Sequence, residues 1–341
     1  MFDNCRIDYD DFDKNVKLDL KDKKILLLLS ENSRIPLTQI AKKVMLSRDA
    51  VDYRIKRLQE KGIILAFVPN FNYAKLGFQT FHIFLLLDEL DEYKQKELIK
   101  NLKIHANVLS VIEYNDRWDL EIVLLAEDII EFDKIISDIS EISPDIILEK
   151  DKLEVIRRYN YDYVPPIIKE EHEMEVINLQ KQLPVKLDEI DYKLLRILSE
   201  NCRASTYALG LKLEISSDAV GYRIKKLLKE GVIRFFSVLV NFSLLKYHWY
   251  TFSIEMKLFN LKNEKKFEAF LNQNKNILRS AKTLGPWDLF LYVVVENPKE
   301  FHQIVKLMKR EFSDIIRSYD AWIAYKEHCF NPMPKIIKKK S

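Results

Sequence analysis

The stretch from Lys17 to Arg34, KLDLKDKKILLLLSENSR, aligns without a gap with KLDEIDYKLLRILSENCR from Lys186 to Arg203, a displacement of 169 residues. At the same displacement Ser47 to Ile64 falls on Ser216 to Ile233, and about half the positions from Lys17 to Ile64 are identical. Farther along, RWDLEIVLLAED from Arg117 meets PWDLFLYVVVEN from Pro286, and VPPII ending at Ile168 meets PMPKII ending at Ile337. Between these anchors TFHI at Thr80 matches TFSI at Thr251 at a displacement of 171, which predicts a small slip in a loop or at the start of a strand. A repeat on this scale divides the 341 residues into two copies of one domain-sized unit. Two copies in one chain can do what a homodimer does with two, at fixed stoichiometry and with freedom to diverge.

Composition narrows the class of molecule. With 48% apolar and 11% aromatic residues the chain is globular rather than disordered. Its net charge of +3 carries no global signature for nucleic acid or membrane, so any such partner must be argued from local patches. Only six glycines leave almost no material for phosphate-cradling loops of the GxGxxG or Walker type. Three widely spaced cysteines without CxxC spacing suit neither a disulfide framework nor a zinc site and point to a reducing, intracellular setting. The acidic N-terminus lacks the pattern of an export signal, and the longest apolar runs are far too short to cross a bilayer. A soluble, cytoplasmic protein with no membrane partner is expected. The six histidines are scattered, with no HExxH and no carboxylate pair at ligand spacing, so neither a metal site nor a cofactor is expected and no catalytic residue is assigned.

Within Lys17 to Ile64, apolar residues recur at helical spacing over Leu20 to Ser30, Leu37 to Val44 and Ser47 to Lys61. The third helix opens with Ser47 as N-cap and Asp49 in its first turn and closes at Gly62, and Ser216, Asp218 and Gly231 repeat these signals. Three residues separate the second helix from the third, the tight connection of a helix-turn-helix. Val51, Ile55 and Leu58 fall on one face of the third helix, while Asp49, Asp52, Tyr53, Lys56 and Arg57 fall on the other. An α-helix that exposes Arg and Lys, braced by a second helix, suits the major groove of duplex DNA. The first module holds twelve Lys and Arg against six Asp and Glu, +6, and the second nine against seven, +2, so the first should bind phosphate more strongly. After each module the pattern turns to strand, helix, strand, strand, helix, strand, the order of a ferredoxin-like βαββαβ sandwich. The fold class expected is α+β: a tandem duplication of a winged helix-turn-helix plus a ferredoxin-like sandwich. The divisions are an acidic solvated arm over 1–16, helix-turn-helix modules over 17–66 and 186–235, and sandwiches over 67–164 and 236–330. A charged linker with a short helix over 165–185 and a basic solvated tail over 331–341 complete them.

KLDxxDxxILxLLSENSRIPLTQIAKKVxLSRDAVDYRIKRLQEKGII followed by a βαββαβ unit resembles the leucine-responsive and asparagine-type regulators of prokaryotes, the Lrp/AsnC family, and the resemblance covers both halves. It implies a transcription regulator whose sandwich, the RAM domain, mediates self-association and binds a small effector, often an amino acid. The family's recognition-helix pattern corresponds to Ser47, Val51, Arg54, Ile55 and Leu58, and to Ser216, Val220, Arg223, Ile224 and Leu227. The family's Gly-x-x-Asp effector loop is kept as Gly285-Pro286-Trp287-Asp288, whereas the first half reads Asp116-Arg117-Trp118-Asp119 and has lost the glycine.

The residues expected on DNA are therefore Ser47, Arg48, Asp49, Tyr53, Arg54, Lys56 and Arg57, with Ser216, Ser217, Asp218, Tyr222, Arg223, Lys225 and Lys226 in the second copy. For Arg54 and Arg223 an ion pair bracing the helices competes with phosphate contact, and Asp49 and Asp218 serve their helix N-termini electrostatically. Asp116, Trp118, Asp119, Gly285, Trp287 and Asp288 are the effector candidates, beside the plainer reading of a packed Trp with an exposed Asp. Divergence at Arg48/Ser217, Asp52/Gly221 and Arg57/Lys226 predicts unequal half-sites in an imperfect palindrome. Two rivals stand beside the regulator: a tetrapyrrole decarboxylase on the same scaffold, and a metabolite sensor or assembly protein that does not bind DNA.

Overall fold

The protein is described here from a computed structural model, over residues 5–14, 16–88, 91–161, 163–166, 168, 177–178, 182–257 and 259–338. The first half runs α1 (Leu20–Glu31), α2 (Leu37–Val44), α3 (Arg48–Glu60), β1 (Ile64–Phe71), β2 (Gln79–Leu87), α4 (Glu92–Ile104), β3 (Val108–Tyr114), β4 (Leu120–Ala126), α5 (Ile129–Ile142) and β5 (Ile147–Tyr161). After a two-residue strand β6 (Ile177–Asn178), the second half repeats the order. It runs α6 (Glu189–Glu200), α7 (Thr206–Leu213), α8 (Ser217–Lys229), β7 (Ile233–Val240), β8 (His248–Met256), α9 (Leu261–Gln273), β9 (Ile277–Leu284), β10 (Leu289–Val295), α10 (Pro298–Phe312) and β11 (Ile316–Phe330). Each half is a three-helix head, a connecting strand and a βαββαβ unit.

The expected slip between the repeats is absent. Thr80 faces Leu125 between β2 and β4, and Trp249 faces Val294 between β8 and β10, so Thr80 corresponds to Trp249 at the common displacement of 169. The TFHI and TFSI match lies two residues off the structural register. A shift of two leaves every strand side chain on the same face, so composition tolerates either alignment and only the hydrogen-bonded partners decide.

The four strands of each sandwich follow the orders β5-β2-β4-β3 and β11-β8-β10-β9. Neither sheet keeps free edges. β3 pairs antiparallel with β11, and β5 with β9, so the eight strands close into one ring. Closure removes the exposed edges that either sheet would present alone. Helices α4 and α5 cover the outside of the first sheet, where Leu98, Leu102, Phe132, Ile135 and Ile139 are buried, and α9 and α10 cover the second with Phe267, Leu271, Ile304, Met308 and Phe312. Inside the ring Phe84 meets the edges of Trp287 and Trp322 at 5.2 and 5.7 Å between ring centres.

The heads are joined by a second set of crossings. The strand that follows each head pairs with its counterpart, β1 with β7 antiparallel, rather than folding back within its own half. Ser33 N–H donates to the Phe236 carbonyl and Cys202 N–H to the Phe67 carbonyl, both at 3.0 Å. Asn72 donates to Val232 and Asn241 to Ile63 in the same reciprocal way. At the centre Ser33 Oγ and Cys202 Sγ lie 3.0 Å apart. Burial pushes the Cys202 thiol up to about 11, against the pull of the Ser33 hydrogen bond and nearby arginines, so it stays protonated at neutral pH.

Both termini depart from their sequence expectations. The N-terminal arm is docked rather than solvated: Ile7 is buried, Phe242 N–H donates to the Arg6 carbonyl, and Tyr9 stacks on Tyr325. Its Asp8 bridges Lys326 of β11, as β6 of the linker pairs with β5, so the described middle of the linker is strand and not helix. The remaining residues for which a linker helix was expected lie largely outside the described ones. The C-terminal tail is also held through residue 337, where Arg196 donates to the Met333 and Ile337 carbonyls at 3.0 and 2.8 Å and Met333 and Ile337 are buried. Apolar residues interleaved with the charges, which net composition hides, supply the anchor.

Arg6 and Glu327 form an ion pair with side chains 1% and 0% exposed, and Ser110 Oγ donates to the same carboxylate at 2.7 Å. Arg6→Ala leaves Glu327 buried and charged, and denaturant unfolding of the full chain should report a loss of about 3–5 kcal/mol. Replacing both partners together, Arg6→Met with Glu327→Leu, should recover part of that loss.

Candidate nucleic-acid interface

Each head presents its third helix outward. Ser47 Oγ accepts the Ala50 N–H and Ser216 Oγ the Ala219 N–H, both at 3.1 Å, and these N-caps set where α3 and α8 begin. The preceding turns pass through Met45 and Glu214 in the left-handed region, at φ 53° and 56°. Val51, Ile55 and Leu58, and Val220, Ile224 and Leu227, bury the inner faces. Outside, Arg48, Asp49, Tyr53 and Lys56 are exposed in the first head and Asp218, Tyr222 and Lys225 in the second, with Ser217 half-buried. Tyr53 and Tyr222 stand 65% and 70% exposed, more than packing against the helix would leave.

Some expected DNA contacts are committed elsewhere. Asp19 and Asp22 form a capping box at the start of α1, and Asp188 and Asp191 form the same box at α6. Arg54 bridges Asp19 and Asp22 at 2.6 and 2.7 Å, and Arg223 bridges Asp188 and Asp191 at 2.7 and 2.6 Å. Arg57, read from its helix position as solvent-facing, instead places one guanidinium nitrogen 2.8 and 2.7 Å from the two oxygens of Asp22. The reason is the burial of that carboxylate, which needs a cation beside it. Lys226, its counterpart, lies 3.9 Å from Asp191. Burial raises the Asp19 and Asp188 carboxyls, but backbone N–H donors and the facing arginines overcome it and hold both below the usual range. Asp49 pairs with Arg48 at 3.0 Å, and Lys56 with Asp52 at 2.7 Å.

Lys42 and Lys43 are exposed in the last turn of α2, outside the helix that the motif singles out. The module charge of +6 held the signal. The second head has Leu211 and Lys212 there, with Leu211 and Tyr207 66% and 68% exposed.

The effector-loop residues are knit into the ring. Trp118 and Trp287 are buried beside Phe84 and Trp322, and the Asp119 and Asp288 carboxylates accept the Leu87 and Met256 N–H groups at 2.5 and 2.7 Å. Gly285, at φ +151°, packs so closely on β5 that a Cβ would lie 2.4 Å from the Lys152 carbonyl oxygen. In the first half Asp116 is exposed, and Arg117 reaches across to Asp320 at 2.7 Å. Sequence reasoning missed a cavity of about 50 Å³ inside the ring, lined by His82, Arg158, Arg279 and Tyr292 among apolar side chains. Its walls come from both halves, so no local pattern announces it. Beside it the buried Glu121 accepts from Tyr114 and Tyr292 and lies 2.6 Å from His82 Nδ1. Among the described residues no cluster of three or more His, Cys, Asp or Glu is placed to hold a metal, and no helix is long and apolar enough to cross a membrane.

Arg223→Ala should destabilise the chain by about 3 kcal/mol, because the buried Asp191 then keeps the capping-box N–H of Asp188 and, as a cation, the more distant Lys226 at 3.9 Å. Arg54→Ala should cost about 1 kcal/mol, since Asp22 retains the nearer Arg57. Denaturant melts of the two variants would check the order. With carboxyl groups held low in the folded state, the contribution of Asp19 and Asp188 is complete above about pH 4 and is lost as the pH falls below it.

The AsnC-type helix-turn-helix domain model matches residues 18–59 and again 187–228. The HTH-type transcriptional regulator LrpA of Pyrococcus horikoshii is 35% identical over 145 residues, which span 39% of this chain and 98% of that regulator. The HTH-type transcriptional regulator Ptr1 of Methanocaldococcus jannaschii is 30% identical over 121 residues, 36% of this chain and 80% of the relative. Along nearly the whole length the fold is similar to the crystal structure of the siroheme decarboxylase NirDL, with a TM-score of 0.63 over 93% of this chain and 97% of that one; at 14% identity this likeness concerns the fold alone. The chain belongs to the Lrp/AsnC family of helix-turn-helix transcription regulators, whose DNA-binding domain it carries twice.

Proposed function

We propose that this chain is a sequence-specific DNA-binding regulator that acts as an intrachain pseudo-dimer, with both heads on one duplex. The observation that carries the reading is the outward exposure of both third helices on heads joined reciprocally through β1 and β7. A pair of heads held in this way suits half-sites about one helical turn apart, ~34 Å, or a multiple of it. Arg48 and Tyr53 in the first head and Ser217, Tyr222, Lys225 and Lys226 in the second would meet the groove and its phosphates, while Lys56 is held by Asp52. Ser47 and Ser216 cap the helices and Asp49 and Asp218 favour their N-termini, while Arg54, Arg57 and Arg223 brace them against the first helix. The differences Arg48/Ser217 and Asp52/Gly221 support unequal half-sites.

A small effector such as an amino acid is proposed to act through the ferredoxin-like units, with Asp116 and Gly285 as the exposed members of the loop set. Binding at Trp118, Asp119, Trp287 or Asp288 would have to displace the contacts that now tie these residues to the ring. Against the decarboxylase reading we set the sequence relatives, which are named as HTH-type transcriptional regulators and reach 35% identity, whereas the decarboxylase shares the fold at 14%.

A mobility-shift titration of the full chain, using genomic fragments that include the region upstream of its own coding sequence, should give a one-to-one complex that weakens steeply with salt. On a selected site, adding about five base pairs between the half-sites should abolish the tight complex, and about ten should restore it. Absence of a shift at low salt, or indifference to spacing, would sink the paired reading; a haem-like pigment in the purified protein would favour the enzyme.

A further inference from the structure

The outer stripe of the third helix, at positions four residues apart, differs in charge between the two heads. In α3 it reads Asp52, Lys56, Glu60, and in α8 it reads Gly221, Lys225, Lys229. The stripe therefore sums to −1 in the first head and +2 in the second. Across the whole helices the order is the same. Arg48, Arg54, Lys56 and Arg57 against Asp49, Asp52 and Glu60 leave α3 at +1, while Arg223, Lys225, Lys226 and Lys229 against Asp218 leave α8 at +3. This reverses the ranking that the module totals of +6 and +2 suggest, because much of the first module's surplus sits on α1 and α2.

Geometry gives the difference a mechanism. Lys56 Nζ lies 2.7 Å from Asp52 Oδ2, and that carboxylate, with Glu60 beyond, holds the lysine's affinity for its proton above the ordinary value. A phosphate must displace Asp52 or sit beside its negative charge. Lys225 has Gly221 and Tyr222 on one side and Leu228 and Lys229 on the other, so no carboxylate stands within helical reach, and no ion pair to it occurs among the described residues. Gly221 has no atom within 4 Å of where its Cβ would lie, so the missing side chain leaves open space at the surface rather than filling a packing need. In a helix interior this glycine costs about 1 kcal/mol relative to alanine, with no burial in return. The first head has its compensating cations on α2, where Lys42 and Lys43 stand exposed, and the second has Leu211 in place of Lys42.

We propose that the two heads grip the DNA backbone through different helices: the second through the Lys225 and Lys229 stripe that Gly221 leaves unmasked, the first through Lys42 and Lys43 while Asp52 masks Lys56. The inference rests on the DNA-binding reading above. Phosphate contact is independent of sequence, so the two heads differ in where counterions are released and not only in which bases they read.

The test is the salt dependence of binding by the full chain to a labelled random-sequence duplex long enough for both heads, followed by fluorescence anisotropy at several KCl concentrations. Lys225→Ala with Lys229→Ala should lower the slope of log K against log salt by about two units, and Lys42→Ala with Lys43→Ala by a similar amount. Gly221→Asp should recreate the masking pair and lower the slope by about one unit, whereas Gly221→Ala should leave it unchanged. Asp52→Ala should raise it by about one unit. Thermal melts of each variant separate loss of contact from loss of fold, since all these side chains lie outside the packed core. If Lys56→Ala lowers the slope as much as Lys225→Ala, or if Gly221→Asp and Gly221→Ala behave alike, the division of labour is wrong although the chain still binds DNA. If the unmodified chain shows no salt-dependent binding at all, it is the regulator reading that fails.

Discussion

Each ferredoxin-like unit in this chain is a sheet with two open edges, and the pairing of β3 with β11 and β5 with β9 removes all four at once. Unpaired edges expose backbone donors and acceptors that would otherwise recruit other strands. Closing them on each other makes the two repeats one body. The termini add to the same closure, because the arm before each head lies against the long last strand of a half: Asp8 at Lys326, and β6 at Arg157 and Arg158. With the ring closed and β1 paired to β7, the heads have a set position rather than a tethered one.

Inside this near-symmetric frame the buried polar groups are not symmetric. Glu121 sits where the second repeat has Phe290, and the buried Glu327 sits where the first has Arg158. Burying a carboxylate requires donors or a cation at contact distance. Glu121 is met by Tyr114, Tyr292 and His82, and Glu327 by Arg6 and Ser110. Burial and the Glu121 charge push both tyrosines upward, which keeps them as donors. Both clusters reach beyond one half: Tyr292 comes to Glu121 from the second half, and Arg6 and Ser110 come to Glu327 from the N-terminal arm and the first half. The halves have diverged by sharing one interior, so neither would be satisfied by pairing with a copy of itself.

The heads repeat that lesson at the surface. The aspartates of the two capping boxes start the first helices and also hold the third through Arg54 and Arg223, so a local helix-start signal doubles as a long-range brace. Arg57 was legible as a cation on a helix but not as the partner of Asp22, because a helical wheel shows which side chains share a face and not what stands opposite them. The effector loops behave in the same way. For Trp118 and Asp119 the sequence leaves an effector pocket and a packed Trp side by side, and in the fold Trp118 is buried in the ring while Asp119 fastens the end of β2.

The sequence by itself determined the duplication, the helix-turn-helix heads with their Ser47 and Ser216 caps, and the order of strands and helices in each half. Those features follow from periodicity, capping chemistry and self-similarity, which act over a few residues or compare one stretch directly with another. Only the tertiary structure decided which residues of β2 and β8 correspond between the repeats, the docking of both termini, the closure of two sheets into one ring, and which cations remain free to face a phosphate. These depend on hydrogen-bond partners and buried charges far apart along the chain, such as Arg6 with Glu327, and local composition carries no record of which partner is chosen.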